Sequence, residues 1–299
     1  MDRSKLNNII AGELAEPVDP RVVAMAMAVT ARYDGAARAV LFYGSCLRER
    51  QLDGLMLDFY LIVSDYRAAY GRGWLALANR LIPPNVFPFA HEGLAGKYAV
   101  LSEADFAREC SASARSSSVY ARFAQPARLV WCVDDKVRGR IVANVAAAAE
   151  TLLLLTRPTM DDAAAGDPLA VWRNAFALTY GAELRAERGT RAGAIVDSDP
   201  DRYRVVAEAA GYATGQTPDA RRREAARKAW RRTQRRGKRL TLLRLAKASF
   251  TFAGGIDYLA WKINRHAGTN IVPAPWQRRW PLLGALILLP RLLARGVVR

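Results

Sequence analysis

The apolar positions of this chain change period several times, and each change marks an element. Over residues 1–36 the spacing is mostly helical. Asp19-Pro20 offers an N-cap followed by a first-turn proline, and Val22 to Tyr33 continues as an Ala-rich helical stretch. Ala39-Val40-Leu41-Phe42-Tyr43 is a continuous apolar run that stops at Gly44-Ser45, the pattern of a buried strand closed by a tight turn. Leu55 to Val63 is a second such run, interrupted by one acid, Asp58. A strand covered on both faces rarely carries a lone carboxylate unless something binds it. Residues 67–82 read as a helix stopped by Pro83-Pro84, Lys97–Leu101 and Ala127–Val133 as further strands, and Lys136–Leu155 as a long helix. This is a mixed α/β domain over residues 1–157. Leu169, Trp172, Phe176 and Tyr180 then recur at helical spacing, which predicts a smaller helical domain over residues 158–220.

Charge separates off a third region, residues 221–299. The 299 residues carry a net charge of +17, yet residues 1–200 hold 23 basic and 23 acidic side chains. The excess therefore lies in residues 201–299, with 22 basic and 5 acidic groups, and residues 221–247 alone hold 13 Lys or Arg against Glu224. Such a run marks a surface for a polyanion, either anionic lipid or nucleic acid. Each cation near an anionic membrane gains about 1 kcal/mol, and Arg235, Arg236, Lys238 and Arg239 are expected to face lipid. Trp230 among arginines also suits base stacking. Nothing in the sequence reads base edges, so nucleic acid ranks second.

The longest apolar run, Trp280 to Pro290, is about half the roughly 20 residues that a membrane crossing needs. It is flanked by Arg278, Arg279, Arg291 and Arg295, with Trp276 and Trp280 where interfacial aromatics anchor. It reads as a segment lying in one leaflet, the alternative being a core helix. Three scattered cysteines form neither a disulfide framework nor a zinc site, and two histidines argue against a His-dependent centre. The N-terminal stretch lacks an apolar core after a basic start, so a reduced, cytosol-facing protein is expected.

Candidate chemistry lies between residues 40 and 63. Nucleotidyl transfer needs backbone N–H groups of a glycine turn against a triphosphate, since only glycine allows so close an approach. It also needs a carboxylate holding Mg²⁺ against the reacting phosphate. Gly44-Ser45 followed by Asp58 on the next strand offers both. Taken alone, the same residues also fit an ordinary turn and an acid at a strand edge. Lys97 fits either a phosphate-neutralising charge or a solvated strand edge.

This stretch resembles the mitochondrial translocator assembly and maintenance family of peripheral CDP-diacylglycerol synthases (phosphatidate cytidylyltransferases). Tyr43-Gly44-Ser45 and Leu57-Asp58-Phe59 are similar to the family's nucleotidyltransferase motif. The resemblance continues in order through Lys97–Ser102, Tyr120–Pro126, Leu178–Arg185 and Lys247–Tyr258, covering about residues 36 to 265. It implies an α/β (α+β) nucleotidyltransferase with a mixed sheet and helices, then a winged-helix-like domain and a basic amphipathic C-terminal segment. The implied reaction joins CTP to phosphatidic acid with Mg²⁺, giving CDP-diacylglycerol and pyrophosphate.

By the same resemblance, Tyr43, Gly44, Ser45, Lys97, Glu183 and Arg185 would bind nucleotide, Asp58 and Lys97 would be catalytic, and Asp58 and Asp65 would hold metal. Glu183 with Arg185 also fits an exposed helix pair. Two departures stand out. Met56 occupies the place where many nucleotidyltransferases carry the first acid of an Asp-x-Asp pair, and Ala182-Glu183 replaces the family's Gly-Asp. Richness in alanine and arginine suits a GC-rich bacterial genome, so the expected location is peripheral, on the cytoplasmic face of the bacterial inner membrane.

Overall fold

The computed structural model describes residues 3–49, 52–71, 73–182, 190–212, 219–251 and 272–275. Two helices open the chain, α1 (Arg3–Ala15) and α2 (Pro20–Thr30), the second capped by the Asp19 carboxylate on the Arg21 N–H. β1 (Ala37–Tyr43) runs into α3 (Ser45–Glu49) and returns as β2 (Met56–Val63). Then come α4 (Tyr66–Tyr70), α5 (Gly73–Leu81), β3 (Asn85–His91) and β4 (Leu94–Ser102). After α6 (Glu103–Glu109) and α7 (Ser118–Phe123), β5 (Ala127–Cys132) leads into α8 (Asp135–Thr156). The remainder is helical: α9 (Asp162–Ala165), α10 (Pro168–Tyr180), α11 (Thr190–Asp197), α12 (Pro200–Ala209) and α13 (Ala220–Thr251).

The five strands form one mixed sheet in the order β3-β4-β2-β1-β5, with β2 and β4 parallel and the other neighbours antiparallel. The expected mixed α/β fold is present. β3 has no counterpart in the sequence reading, because Pro88 argues against a strand. As the sheet's edge, β3 tolerates a residue without an N–H. The helix expected over residues 67–82 is two helices, split where Gly71 ends α4 in the left-handed region (φ 57°).

Strand side chains alternate between two faces, and both are covered. Val40, Phe42, Phe59, Leu61 and Val100 pack with α2 and with Tyr66 and Ala76 of α4 and α5. Leu41, Tyr60, Ile62 and Leu101 pack with α1, α7, α8 and, through them, α10 and α12. α8 is apolar and long enough to cross a membrane, but Val137, Ile141, Val145 and Leu152 are buried in this core. The helices after residue 157 share that core: Trp172 packs 5.3 Å from Tyr203 and donates its indole N–H to the Tyr203 carbonyl at 2.9 Å. Arg202 of α12 forms a buried two-armed ion pair with Glu13 of α1 and bonds the Ala124 carbonyl. Every regular element among the described residues of 158–212 is helical, with no β wing.

α13 departs most from a solvated basic run. Positions 223, 227, 230, 234, 237, 241 and 244 keep a heptad spacing on the side that meets the body of the protein, and three of them, Arg227, Trp230 and Gln234, present donors to carbonyls at the C-terminal ends of other helices. Helix C-termini leave carbonyls without intrahelical partners, and cations and N–H donors satisfy them. Arg227 bonds Thr159 O, Trp230 bonds Leu155 O, and Gln234 bonds Leu178 O. Gly237 lets the helix touch α10's end, since a Cβ there would stand 2.4 Å from the Ala182 carbonyl oxygen. Trp230 is therefore core, 4% exposed, and unavailable for the base stacking that its arginine neighbours suggested.

At the far end of α13, Arg244 bonds Pro83 O and the Ser116 and Ser118 hydroxyls, while Lys247 bonds the carbonyls of Ile82 and Pro84. Burial first, and the Arg244 charge second, push the Lys247 pKa down from its ordinary 10.5 to about 7. Between those values the unfolded chain holds a proton that the folded protein has released. This contribution to stability therefore rises with pH from about 7 to about 10.5. Denaturant midpoints at pH 7 and pH 9 should show the wild type gaining on a Lys247→Met variant. A gap independent of pH would contradict the burial of this amine.

Candidate active site

The register of the sheet builds the site. Tyr43 of β1 stands opposite Asp58 of β2, and Asp58 stands opposite Lys97 of β4. By the strand alternation these three lie on the face that carries Leu41, Tyr60, Ile62 and Leu101, just beyond its apolar part. The row is completed by Ala127 of β5 and Pro88 of β3. Tyr43 packs against Tyr60 and against Phe123 of α7, at ring separations of 5.4 and 5.9 Å, so one wall of the row is aromatic.

At the end of β1, Gly44 takes φ 101°, a conformation that strains any residue with a Cβ. A Cβ on Gly44 would stand 3.2 Å from Oδ2 of Asp58 and 3.5 Å from its Cβ. The glycine's bare Cα thus lies directly beside the carboxylate. Ser45 follows as the first residue of α3, and the Cys46 thiol donates to the Met56 carbonyl at 3.4 Å, tying α3 to β2. The turn and the acid, far apart in sequence, are neighbours.

Lys97 adds what the sequence does not reveal. Its ammonium lies 2.8 Å from Asp58 Oδ1, with side-chain exposures of 31% for Lys97 and 23% for Asp58, so the pair opens to solvent on one side. The same nitrogen is 4.0 Å from the Met56 thioether sulfur. Met56, two residues before Asp58 on the same strand, therefore shares the lysine with that acid. The ammonium neutralises Asp58 and is available to an incoming anion as a point charge.

Asp65 does not join them. The five steps from Asp58 to the end of β2 at Val63 carry the chain about 16 Å away, and the chain turns there into α4. The Asp65 carboxylate accepts the Arg67 and Ala68 N–H groups at 2.8 and 3.0 Å and works as that helix's cap. The expectation of Asp65 as a second metal ligand is corrected on this ground. Glu183, Arg185, Trp276 and Trp280 lie outside the described residues. Arg235, Arg236, Lys238 and Arg239 are all exposed on α13.

Mg²⁺ takes oxygen ligands and is commonly bound through one or two carboxylates plus substrate phosphates and water. Among the described residues no group of three or more His, Cys, Asp or Glu is placed to hold a metal, and the thioether of Met56 is too soft to substitute. The donor set fits an ion that arrives with a nucleotide, takes one ligand from Asp58, and fills the rest from phosphate and water.

No family model matches the chain, and no curated protein matches it. Among solved structures it is similar to a nucleotidyltransferase-like protein from Exiguobacterium sibiricum 255-15, at 10% identity over 93% of each chain and a TM-score of 0.30.

Proposed function

We propose that this chain is a nucleotidyltransferase that transfers the cytidylyl group of CTP to phosphatidic acid at a membrane surface. The observation that carries the reading is the contact of the Gly44 turn with the Asp58 carboxylate, 3.2 Å from a Cβ on Gly44 to Oδ2, with Lys97 on the other oxygen. The turn's backbone N–H groups bind the triphosphate, Lys97 offsets its charge, and Asp58 is the ligand for Mg²⁺. The ion, when bound, offsets charge on the reacting and leaving oxygens. A phosphate oxygen of phosphatidic acid bonds to the α-phosphorus of CTP, the bond from that phosphorus to the bridging oxygen breaks, and pyrophosphate leaves with the electron pair. A phosphomonoester has a second pKa near 6 and is already mostly dianionic at neutral pH. The nucleophile needs no general base, in keeping with a site made of a turn, one acid and one lysine.

The lipid acceptor and the choice of cytidine rest on the ordered motifs from Tyr43-Gly44-Ser45 to Lys247–Tyr258 and on the basic exposed side of α13. The location that follows is peripheral, on the cytoplasmic face of a bacterial inner membrane. The test offers CTP or ATP, with vesicles containing phosphatidic acid or with RNA, and follows label into product. Label entering lipid from CTP supports the reading. Label entering RNA, or entering lipid equally from ATP, overturns the assigned acceptor or base.

A further inference from the structure

Exposed large apolar side chains on the described residues are mostly scattered singly, but one short helix carries three. Trp74, Leu77 and Leu81 of α5 are 51%, 57% and 64% exposed. Their spacing, i, i+3 and i+7, puts them on one side of the helix. The opposite side is fixed by polar bonds. Asn79, fully buried, donates to the Val100 carbonyl at 2.9 Å and accepts the Asn85 N–H, and the Asn85 side chain donates to Leu75 O at 3.2 Å. Rolling α5 to bury its leucines would break these bonds and strand buried polar groups. The apolar stripe is held outward.

The stripe ends in a cationic setting. Arg80 is exposed beside Leu81, and Arg115 bonds the Arg80 carbonyl at 3.2 Å. Arg244 and Lys247 fasten α13 to the next three residues, 82–84, through their carbonyls. Leu243, one residue before Arg244, is itself 50% exposed. At about 1.5 Å per residue, the exposed Lys238 and Arg239 stand about 8–9 Å along α13 from that junction. An outward apolar stripe with an interfacial tryptophan, next to a basic helix, matches a bilayer of anionic lipid: the side chains enter the acyl boundary while the cations meet the headgroups. A nucleic acid would meet the cations and leave the leucines unused.

We infer that the outer face of α5, flanked by the C-terminal part of α13, is the surface by which the protein seats on an anionic membrane. The inference rests on the reading of a protein that works at lipid, and not on its transfer chemistry.

Flotation of the full chain with vesicles of phosphatidylcholine, alone or with phosphatidic acid, tests it. Wild type should bind the anionic vesicles, and the double variant Leu77→Asp, Leu81→Asp should lose roughly tenfold or more of that binding. Leu154→Asp, at an exposed site on α8, should not change it. Because the substituted side chains are exposed, circular dichroism and the melting temperature should match wild type, and a misfolded double variant would be replaced by Leu77→Ser. Added salt should weaken wild-type binding. Unchanged vesicle binding by a folded variant overturns the inference. So does a loss of poly(U) binding or of self-association in its place, or a wild type that ignores anionic vesicles. Wild type that binds through α5 and makes no CDP-diacylglycerol keeps the surface and removes the chemistry. CDP-diacylglycerol formed on vesicles at the same rate with and without the α5 substitutions does the reverse.

Discussion

Asp58→Asn is expected to lower nucleotidyl transfer by a factor of roughly a thousand or more while the protein stays folded. Asparagine keeps the shape beside Gly44 but removes the charge that would hold the metal and balance Lys97. Losing preorganised charge stabilisation at a reacting phosphate costs several kcal/mol of barrier, and each 1.4 kcal/mol is about tenfold in rate. The effect on folding is small by comparison. The Lys97 ammonium remains 31% exposed and turns to water, and pairs so open are worth about 1 kcal/mol or less. Melting temperature read beside turnover separates the two effects. Asp65→Asn is the matched control: asparagine also caps helices, so transfer should continue. Loss of transfer on changing Asp65, or its survival on changing Asp58, would relocate the metal.

Trp230→Ala is expected to cost the fold several kcal/mol, far more than any change on the exposed side of α13. The indole is 4% exposed, lies in the core that joins α8, α10 and α12, and donates to Leu155 O at 2.8 Å. Removing a buried tryptophan costs about 3–5 kcal/mol. Trp230→Phe keeps most of the volume and leaves one carbonyl unbonded, about 1–2 kcal/mol. In a chain of this size the alanine variant's melting temperature should fall on the order of 10 °C, with phenylalanine between it and wild type. A loss below 1 kcal/mol for alanine would return Trp230 to the surface and restore its case for nucleic acid.

Gly44 and Asp58 show where the sequence was legible. Asp58 stands out because a charge inside an apolar strand breaks a local rule, and Gly44 because it closes the strand before it with a turn. The strands that carry them were legible for the same reason, as short apolar runs between turn residues. Lys97 was visible as a strand-end lysine, but its contact with Asp58 depends on the parallel pairing of β2 with β4, which are separated by α4, α5 and β3. No local pattern encodes that register. β3 was hidden by Pro88, a residue that only an edge strand accepts.

The basic third misled in a different way. Composition cannot tell a cation facing water from one bonding a helix C-terminus, and α13 has both. Arg227, Arg244 and Lys247 bond carbonyls of the body of the protein, while Arg235, Arg236, Lys238 and Arg239 remain exposed. The heptad of inward positions was present in the sequence. Its members are Arg, Trp, Gln, Gly and Thr rather than aliphatics, so a search for hydrophobic periodicity passes over it. The metal role of Asp65 rested on the resemblance alone, and strand geometry carries that residue away from Asp58.

The central claim is that the Gly44 turn and the Asp58 carboxylate together receive a metal-bound nucleotide. Its most direct measurement is a crystal structure with Mn²⁺ and a non-hydrolysable CTP analogue, using the anomalous signal of the metal. The account predicts manganese on the Asp58 carboxylate and the triphosphate against the backbone of Gly44 and Ser45, with Lys97 turned toward phosphate. Nucleotide bound elsewhere, or Asp58 still closed on Lys97 with no metal beside it, would contradict it.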